Sequence, residues 1–263
     1  MLSVHFARER STPVRSAAAI DMTDCRRRSF SFAHGAVARV RSSCSSRNGY
    51  MTDSWREIQA WRKVTRKALI AQRRELRRRD KLRCDSAIVT ALEELSPRLA
   101  DRCVGFYWPL NGEVDLISFM RRTVGKMREA ALPVVIGKEQ PLEFWRWSAR
   151  TRLCARGLWN IPSPIERSLV NPDVLLVPLV GFDEEGYRLG YGTGYYDRTL
   201  AAAPGPLTIG IGYEMASLRS IYPQPHDIPM DLIVTERGIR WCSRIERVGP
   251  RDLHTGPASL LPL

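Results

Sequence analysis

Between residues 181 and 198 the chain reads Gly-Phe-Asp-Glu-Glu-Gly-Tyr-Arg-Leu-Gly-Tyr-Gly-Thr-Gly-Tyr-Tyr-Asp-Arg. Gly190, Gly192 and Gly194 alternate in it. Without Cβ atoms they let the backbone approach a polyphosphate, with their N–H groups free to point at it. Arg188 and Arg198 offer planar guanidinium forks for phosphate oxygens. Asp197 is a hard carboxylate of the kind that takes Mg²⁺, which usually arrives with a nucleotide. A plain tight turn, with Tyr195 and Tyr196 as core aromatics, fits the same spacing. The spacing also differs from a Walker A loop and from the dinucleotide fingerprint. Spacing alone leaves both readings open.

Other candidate groups lie far away in sequence. Glu113 and Asp115 follow the turn Pro109-Leu110-Asn111-Gly112, where a carboxylate either recognises a ligand or caps a helix; Asp115 is read as the cap. Asp227 follows Pro225-His226 and is either a metal ligand or a loop cap. His226 is read as a structural hydrogen-bonder, and one face of Trp145-Arg146-Trp147 as buried.

For these groups to meet, a sheet must carry them. A buried parallel strand fits the continuous apolar run at 173–178, and a helix fits 195–203. The glycine segment between them then lies where α/β sheets bind ligands, beyond the carboxyl ends of the strands. Ile58, Trp61, Thr65, Ala68, Leu69, Gln72 and Leu76 recur at helical spacing, and a second helix fits 86–95, stopped before Pro97. Further strands are expected at 103–108, 132–136, 142–147, 207–213 and 232–235. A helix is expected at 115–130 and a Pro/Gly-rich loop at 157–172. Alternating strands and helices predict an α/β sandwich with a mostly parallel sheet.

The formal net charge of +13 over 263 residues invites a nucleic-acid reading, but it is concentrated. Residues 1–50 carry nine Arg against three acids; residues 56–83 carry twelve basic side chains against three acidic. Residues 84–263 carry twenty against twenty-one. The basicity thus belongs to an N-terminal segment and one helix, not to a broad surface. No apolar run approaches the length of a membrane span. The six Cys form no C-x-x-C pair and suit reduced thiols in the cytoplasm.

Taken together, the motifs resemble the signature of the 5-formyltetrahydrofolate cyclo-ligase family. The matching residues are Asp173, Pro178, Phe182, Asp183, Gly186, Arg188, Leu189, Gly190, Gly192, Gly194, Tyr195, Tyr196 and Asp197. His226-Asp227, Asp231 and Thr235-Glu236 fit its second half, and Tyr107-Trp108-Pro109 with Glu113-Val114-Asp115 its folate-side element. Lys63, Lys67 and Arg73 sit where the family has a basic helix. Thr193 stands where many members carry Lys, Ala216 where Gln is common, and Lys67 in place of a more usual Arg.

The resemblance implies a three-layer α/β sandwich like that of sugar-phosphate isomerases and CoA transferases. It also implies ATP-dependent closure of 5-formyltetrahydrofolate through a phosphorylated formyl group, with Mg²⁺. ATP would lie against Lys63, Lys67, Arg188 and the loop of Leu189, Gly190, Tyr191, Gly192, Thr193, Gly194, Tyr195 and Tyr196. Asp197 and Asp227 would hold the metal. Trp108 and Glu113 would meet the folate together with Tyr191, Gly192, Thr193, Gly194 and Tyr195; Arg188, Tyr195 and Asp197 would act in catalysis.

Two other readings remain: another ATP- or phosphate-dependent enzyme on the same scaffold, or an RNA-binding protein using the basic helix. Residues 1–50 are expected to lie outside the fold, as a disordered extension, a transit peptide or a stretch upstream of a true start at Met51. Residues 51–248 are expected to form one α/β domain, followed by a loose tail at 249–263. A cytoplasmic monomer with no nucleic-acid or membrane partner is expected.

Overall fold

Helix α1 (Trp55–Arg74) presents Ile58, Arg62, Thr65, Leu69 and Arg73 to one side and Lys63, Val64 and Lys67 to solvent. The computed structural model describes residues 55–156, 160–203 and 205–242. The expected boundary at residue 50 and the tail after 248 lie outside them.

After α1 come α2 (Arg78–Glu94), a single turn α3 (Ser96–Leu99) that takes Pro97 into its first turn, and strand β1 (Cys103–Gly105). Helix α4 (Ile117–Thr123) runs into a 3-10 turn and then β2 (Glu129–Val134), which pairs with β3 (Glu143–Trp147). The helix expected at 115–130 is therefore one continuous segment too long. The chain tightens at Val124–Lys126, and Glu129 and Ala130 already pair with Cys103 and Val104. Asp115 is not the cap it was expected to be: Leu116 holds the N-cap position of α4, without a side-chain cap bond, and Asp115 one residue earlier accepts from the Ile117 N–H (2.9 Å) as a local turn.

The Pro/Gly-rich segment also carries more structure than a loop. It holds β5 (Ile161–Pro164), which pairs with β4 (Leu153–Arg156). Next come β6 (Val174–Pro178), the short hairpin β7 (Gly181–Phe182) and β8 (Arg188–Leu189), helix α5 (Tyr195–Ala202), β9 (Leu207–Ile211), β10 (Leu232–Thr235) and β11 (Gly238–Trp241).

Seven strands form the main sheet in the order β11-β10-β9-β6-β1-β2-β3. The five inner strands are parallel, and antiparallel β11 and β3 close the edges. Side chains alternate across the sheet, as a period of two demands. Val104, Val174, Leu176, Ile209 and Val234 pack with Ile88 and Leu92 of α2 and Phe119 and Met120 of α4. On the opposite face Leu175, Val177 and Ile233 pack with Leu200 of α5 and Leu69 of α1. These two cores make three layers. Each fully buried Leu, Ile or Phe contributes about 1.5–3 kcal/mol against the entropy of ordering the chain.

Candidate active site

The parallel strands share one direction, and residues at or beyond the carboxyl ends of β1, β2 and β6 line a cavity of about 570 Å³. Trp108 enters after β1, Val135 after β2 and Pro178 at the end of β6, while α1 and the glycine segment close the sides. That volume suits a drug-sized ligand or larger.

The glycine segment is held from two sides. Arg66 donates through Nε to the Gly190 carbonyl (2.6 Å), and Arg198 through Nη2 to the Thr193 carbonyl (2.7 Å). Gly192 (φ +94°) and Gly194 (φ +66°) are left-handed, which any residue with a Cβ adopts at a cost. A Cβ on Gly192 would also meet the Arg66 guanidinium at 3.2 Å. Gly190 differs: it is not left-handed, and a Cβ there would meet open space. Gly194 caps the start of α5, so the loop empties into a helix N-terminus.

Arg188 is buried, donates through Nη1 to the Ile228 carbonyl (2.7 Å) and lies 2.8 Å from Asp197 Oδ1 through Nη2. That second contact is close but not aligned, so Nη2 makes no hydrogen bond. Asp197 Oδ1 also accepts from the Ile228 N–H (3.1 Å). Asp227 is held more firmly: Oδ2 accepts from Arg62 Nη2 (2.5 Å) and from the Gln224 N–H (2.7 Å). The loop-cap reading of Asp227 is therefore realised in the geometry, beside its place in the cavity wall.

Across the cavity, Glu113 is nearly inaccessible. Its Oε2 accepts from the Leu110 N–H (2.8 Å) and its Oε1 from the Tyr191 hydroxyl (2.7 Å), with Arg73 Nη2 3.8 Å away. Burial pushes the Glu113 carboxyl above the usual range, and the bonds from Tyr191 and Leu110 and the Arg73 charge only partly hold it back. The Tyr191 phenol is pushed up to about 12 by burial and by the Glu113 charge beside it. Arg66 is lowered by burial and then by the neighbouring Arg62, a crowding of positive charge that an anionic ligand would relieve.

All of residues 188–197 line the cavity, with Trp108, Glu113 and Asp227. Lys63 and Lys67 do not; they are exposed on the far side of α1. Each lies two residues from buried Thr65, and neighbours two apart on a helix face different ways. Arg62, Arg66 and Arg73 take the inner face instead, and Arg62 and Arg66 line the cavity. The missed signal was phase: Arg62 is four residues from Ile58 and from Arg66, and Arg73 four from Leu69. Trp55, Gln59 and Asn111 also line the cavity, and no sequence pattern distinguished them.

A sequence model of the 5-formyltetrahydrofolate cyclo-ligase family matches residues 58–236. The chain belongs to this family. Among its relatives, the 5-formyltetrahydrofolate cyclo-ligase of Mycolicibacterium smegmatis is 32% identical over 151 residues, 54% of this chain and 78% of the relative. That of Mycoplasma pneumoniae is 29% identical over 175 residues, 65% of this chain and 96% of the relative. Among solved structures, the Aquifex aeolicus 5,10-methenyltetrahydrofolate synthetase superposes with a TM-score of 0.60 at 30% identity, covering 76% of this chain and 96% of that one. The Mycoplasma pneumoniae synthetase gives 0.55 at 26% identity, covering 66% and 98%. Apart from Trp55, the cavity wall falls inside the stretch that the family model matches.

Proposed function

We propose that this cavity closes 5-formyltetrahydrofolate to 5,10-methenyltetrahydrofolate at the expense of ATP, releasing ADP and phosphate. The chain is an ATP-dependent cyclo-ligase by family. The observation that carries the site assignment is the meeting, in one cavity, of a cationic glycine loop with a buried carboxylate beside Trp108. The first suits a polyphosphate and the second the amino and ring N–H donors of a pterin.

The formyl group of the substrate is an amide, a poor electrophile whose oxygen is a poor leaving group. Its oxygen attacks the γ-phosphorus, the bond to the β-phosphate oxygen breaks, and ADP leaves. The formyl carbon is now an imidate phosphate. The N10 lone pair attacks that carbon, N10 loses its proton, and the C–O bond breaks with phosphate taking the electron pair. The five-membered methenyl ring remains. The protein's part is to hold the formyl oxygen in line with the γ-phosphorus and to offset charge. Arg62, Arg66 and Arg188 and the N–H groups of the glycine loop are the charge-offsetting groups. The unaligned Nη2 of Arg188 is a buried donor that a phosphate oxygen could take. Trp108 offers a face for the pterin, and Glu113 retains lone pairs beyond its two internal bonds.

Asp197 and Asp227 fit a hydrated Mg²⁺ that arrives with the nucleotide. They are hard oxygen ligands on one cavity wall, each balanced by an arginine. Among the described residues no cluster of three or more His, Cys, Asp or Glu could hold a metal. The cation would be completed by phosphate oxygens and water. When bound, Mg²⁺ supplies neutralisation of the β- and γ-phosphate oxygens.

The test is purified protein with ATP, Mg²⁺ and 5-formyltetrahydrofolate, watching methenyl absorbance appear. Hydrolysis of ATP without folate, and no methenyl product with it, would replace this reading with another phosphate-dependent activity on the same scaffold.

A further inference from the structure

We infer that Tyr191 is a positioning residue that couples the two halves of the site, so that a nucleotide on the glycine loop tightens folate binding and folate tightens nucleotide binding. The inference rests on the site assignment above and goes beyond it.

Its basis is a buried relay. Arg73 is fixed from α1 by two bonds to backbone: Nε to the Asn111 carbonyl (3.0 Å) and Nη1 to the Leu179 carbonyl (3.0 Å). Those carbonyls belong to the segments after β1 and after β6, so the guanidinium is a stationary anchor between two strand ends. Its remaining Nη2 donates to the Tyr191 hydroxyl (2.9 Å), and that hydroxyl donates to Glu113 Oε1 (2.7 Å). Tyr191 is thus the one residue of the glycine loop that reaches the pterin-side carboxylate by a described hydrogen bond. Its backbone lies between Gly190, whose carbonyl Arg66 holds, and left-handed Gly192.

The consequence follows from where ordering is required. A triphosphate that takes the loop's N–H groups fixes the backbone on both sides of Tyr191, and with it the hydroxyl. A fixed hydroxyl holds Glu113 Oε1 in one position against the Arg73 anchor. The folate that arrives second no longer has to order the loop through Glu113. The same holds in reverse, and linkage requires the two enhancements to be equal. A phenol suits this role, because burial and the adjacent carboxylate keep its proton on. It therefore remains a donor to Glu113 throughout the working pH range.

The experiment measures four dissociation constants on the full chain. They are those of 5-formyltetrahydrofolate with and without a non-hydrolysable ATP analogue plus Mg²⁺, and of the analogue with and without folate. The wild-type protein is expected to show the same enhancement both ways, on the order of tenfold. Tyr191→Phe keeps the ring and loses the hydroxyl, and its enhancement is expected to fall to within about twofold of one. Glu113→Gln should lose the enhancement as well, and the double variant should lose no more than either single one. Should Tyr191→Phe fail to fold, the Glu113→Gln comparison carries the test alone.

A merely structural role predicts something else: both affinities weaken and their ratio is kept. That result, or an enhancement of one in the wild type, overturns the inference while methenyl formation still stands. A wild-type chain that binds neither ligand overturns the inference and the proposed function together.

Discussion

Glu113 shows how much a carboxylate's meaning depends on what surrounds it. In the sequence it is an acid after a turn; in the fold it is buried, bonded to Tyr191 and Leu110, and held above the ordinary carboxylate range mainly by desolvation. A raised native pKa means that the native state keeps a proton which the unfolded chain has already lost. Glu113 therefore lowers stability as pH rises from the ordinary Glu range through its folded value. Removing the charge removes that slope. The melting temperature of Glu113→Gln minus that of the wild type is expected to grow from pH 4.5 to pH 7, and a flat difference would contradict the desolvation account. The same variant should raise the folate KM far more than the ATP KM, because an amide accepts through only one of its two atoms. Asp197 is expected to behave differently. Its carboxylate faces buried Arg188, so Asp197→Asn leaves a cation without its counter-charge and should lower the melting temperature. If Asp197 also positions Mg²⁺, activity should fall by about two to three orders of magnitude and recover partly at high Mg²⁺. A lower melting temperature with unaltered Mg²⁺ dependence would remove the metal role and leave the ion pair.

At the scale of elements, the inner strands were legible because continuous apolar runs bounded by Gly and Pro leave few alternatives; Val174–Pro178 is the clearest case. Legibility failed where local pattern competes with tertiary pairing. Gly238–Trp241 offers only Ile239 and Trp241 in alternation, too short a pattern to mark a strand, and it is one because Leu232–Thr235 offers it an edge. Glu129 and Ala130 read as helix by composition and are strand by partner. Helix α1 was legible as a helix but not in which cations it turns inward. Arg66→Ala is expected to raise the ATP KM by about ten- to a hundredfold, the worth of a charge-assisted hydrogen bond. Lys63→Ala and Lys67→Ala should each stay within about twofold. Equal losses from Arg66→Ala and Lys67→Ala would return the lysines to the site. The sheet offers a packing control in β1, at a residue outside the cavity wall. A Cβ on Gly105 would meet Leu175 Cδ2 at 2.6 Å and Phe144 Cε1 at 2.9 Å. Gly105→Ala should thus cost about 1–3 kcal/mol by overpacking, with both Michaelis constants kept.

At the scale of the whole molecule, the described fold is closed on its own terms. Antiparallel strands finish both ends of the sheet, both faces carry helices, and the cavity wall is drawn from residues 55–227. The family match likewise spans 58–236, nearly the same stretch of chain. The high net charge partitions in the same way. Residues 84–263 are close to neutral, Arg62 and Arg66 of α1 line the cavity, and nine further arginines lie in residues 1–50. If that N-terminal segment is outside the fold, as its Ser- and Arg-rich composition suggests, its removal takes away charge but no core. A chain of residues 51–263 is then expected to melt within a degree or two of the full chain and to form methenyl product with unchanged kcat. Any effect on the KM for ATP should shrink as salt rises, since arginines outside the fold would act on an anionic substrate only through a screened field. A large fall in melting temperature would instead mean that residues 1–50 cover apolar surface of the domain. A loss of kcat at every salt concentration would mean that they reach the cavity itself.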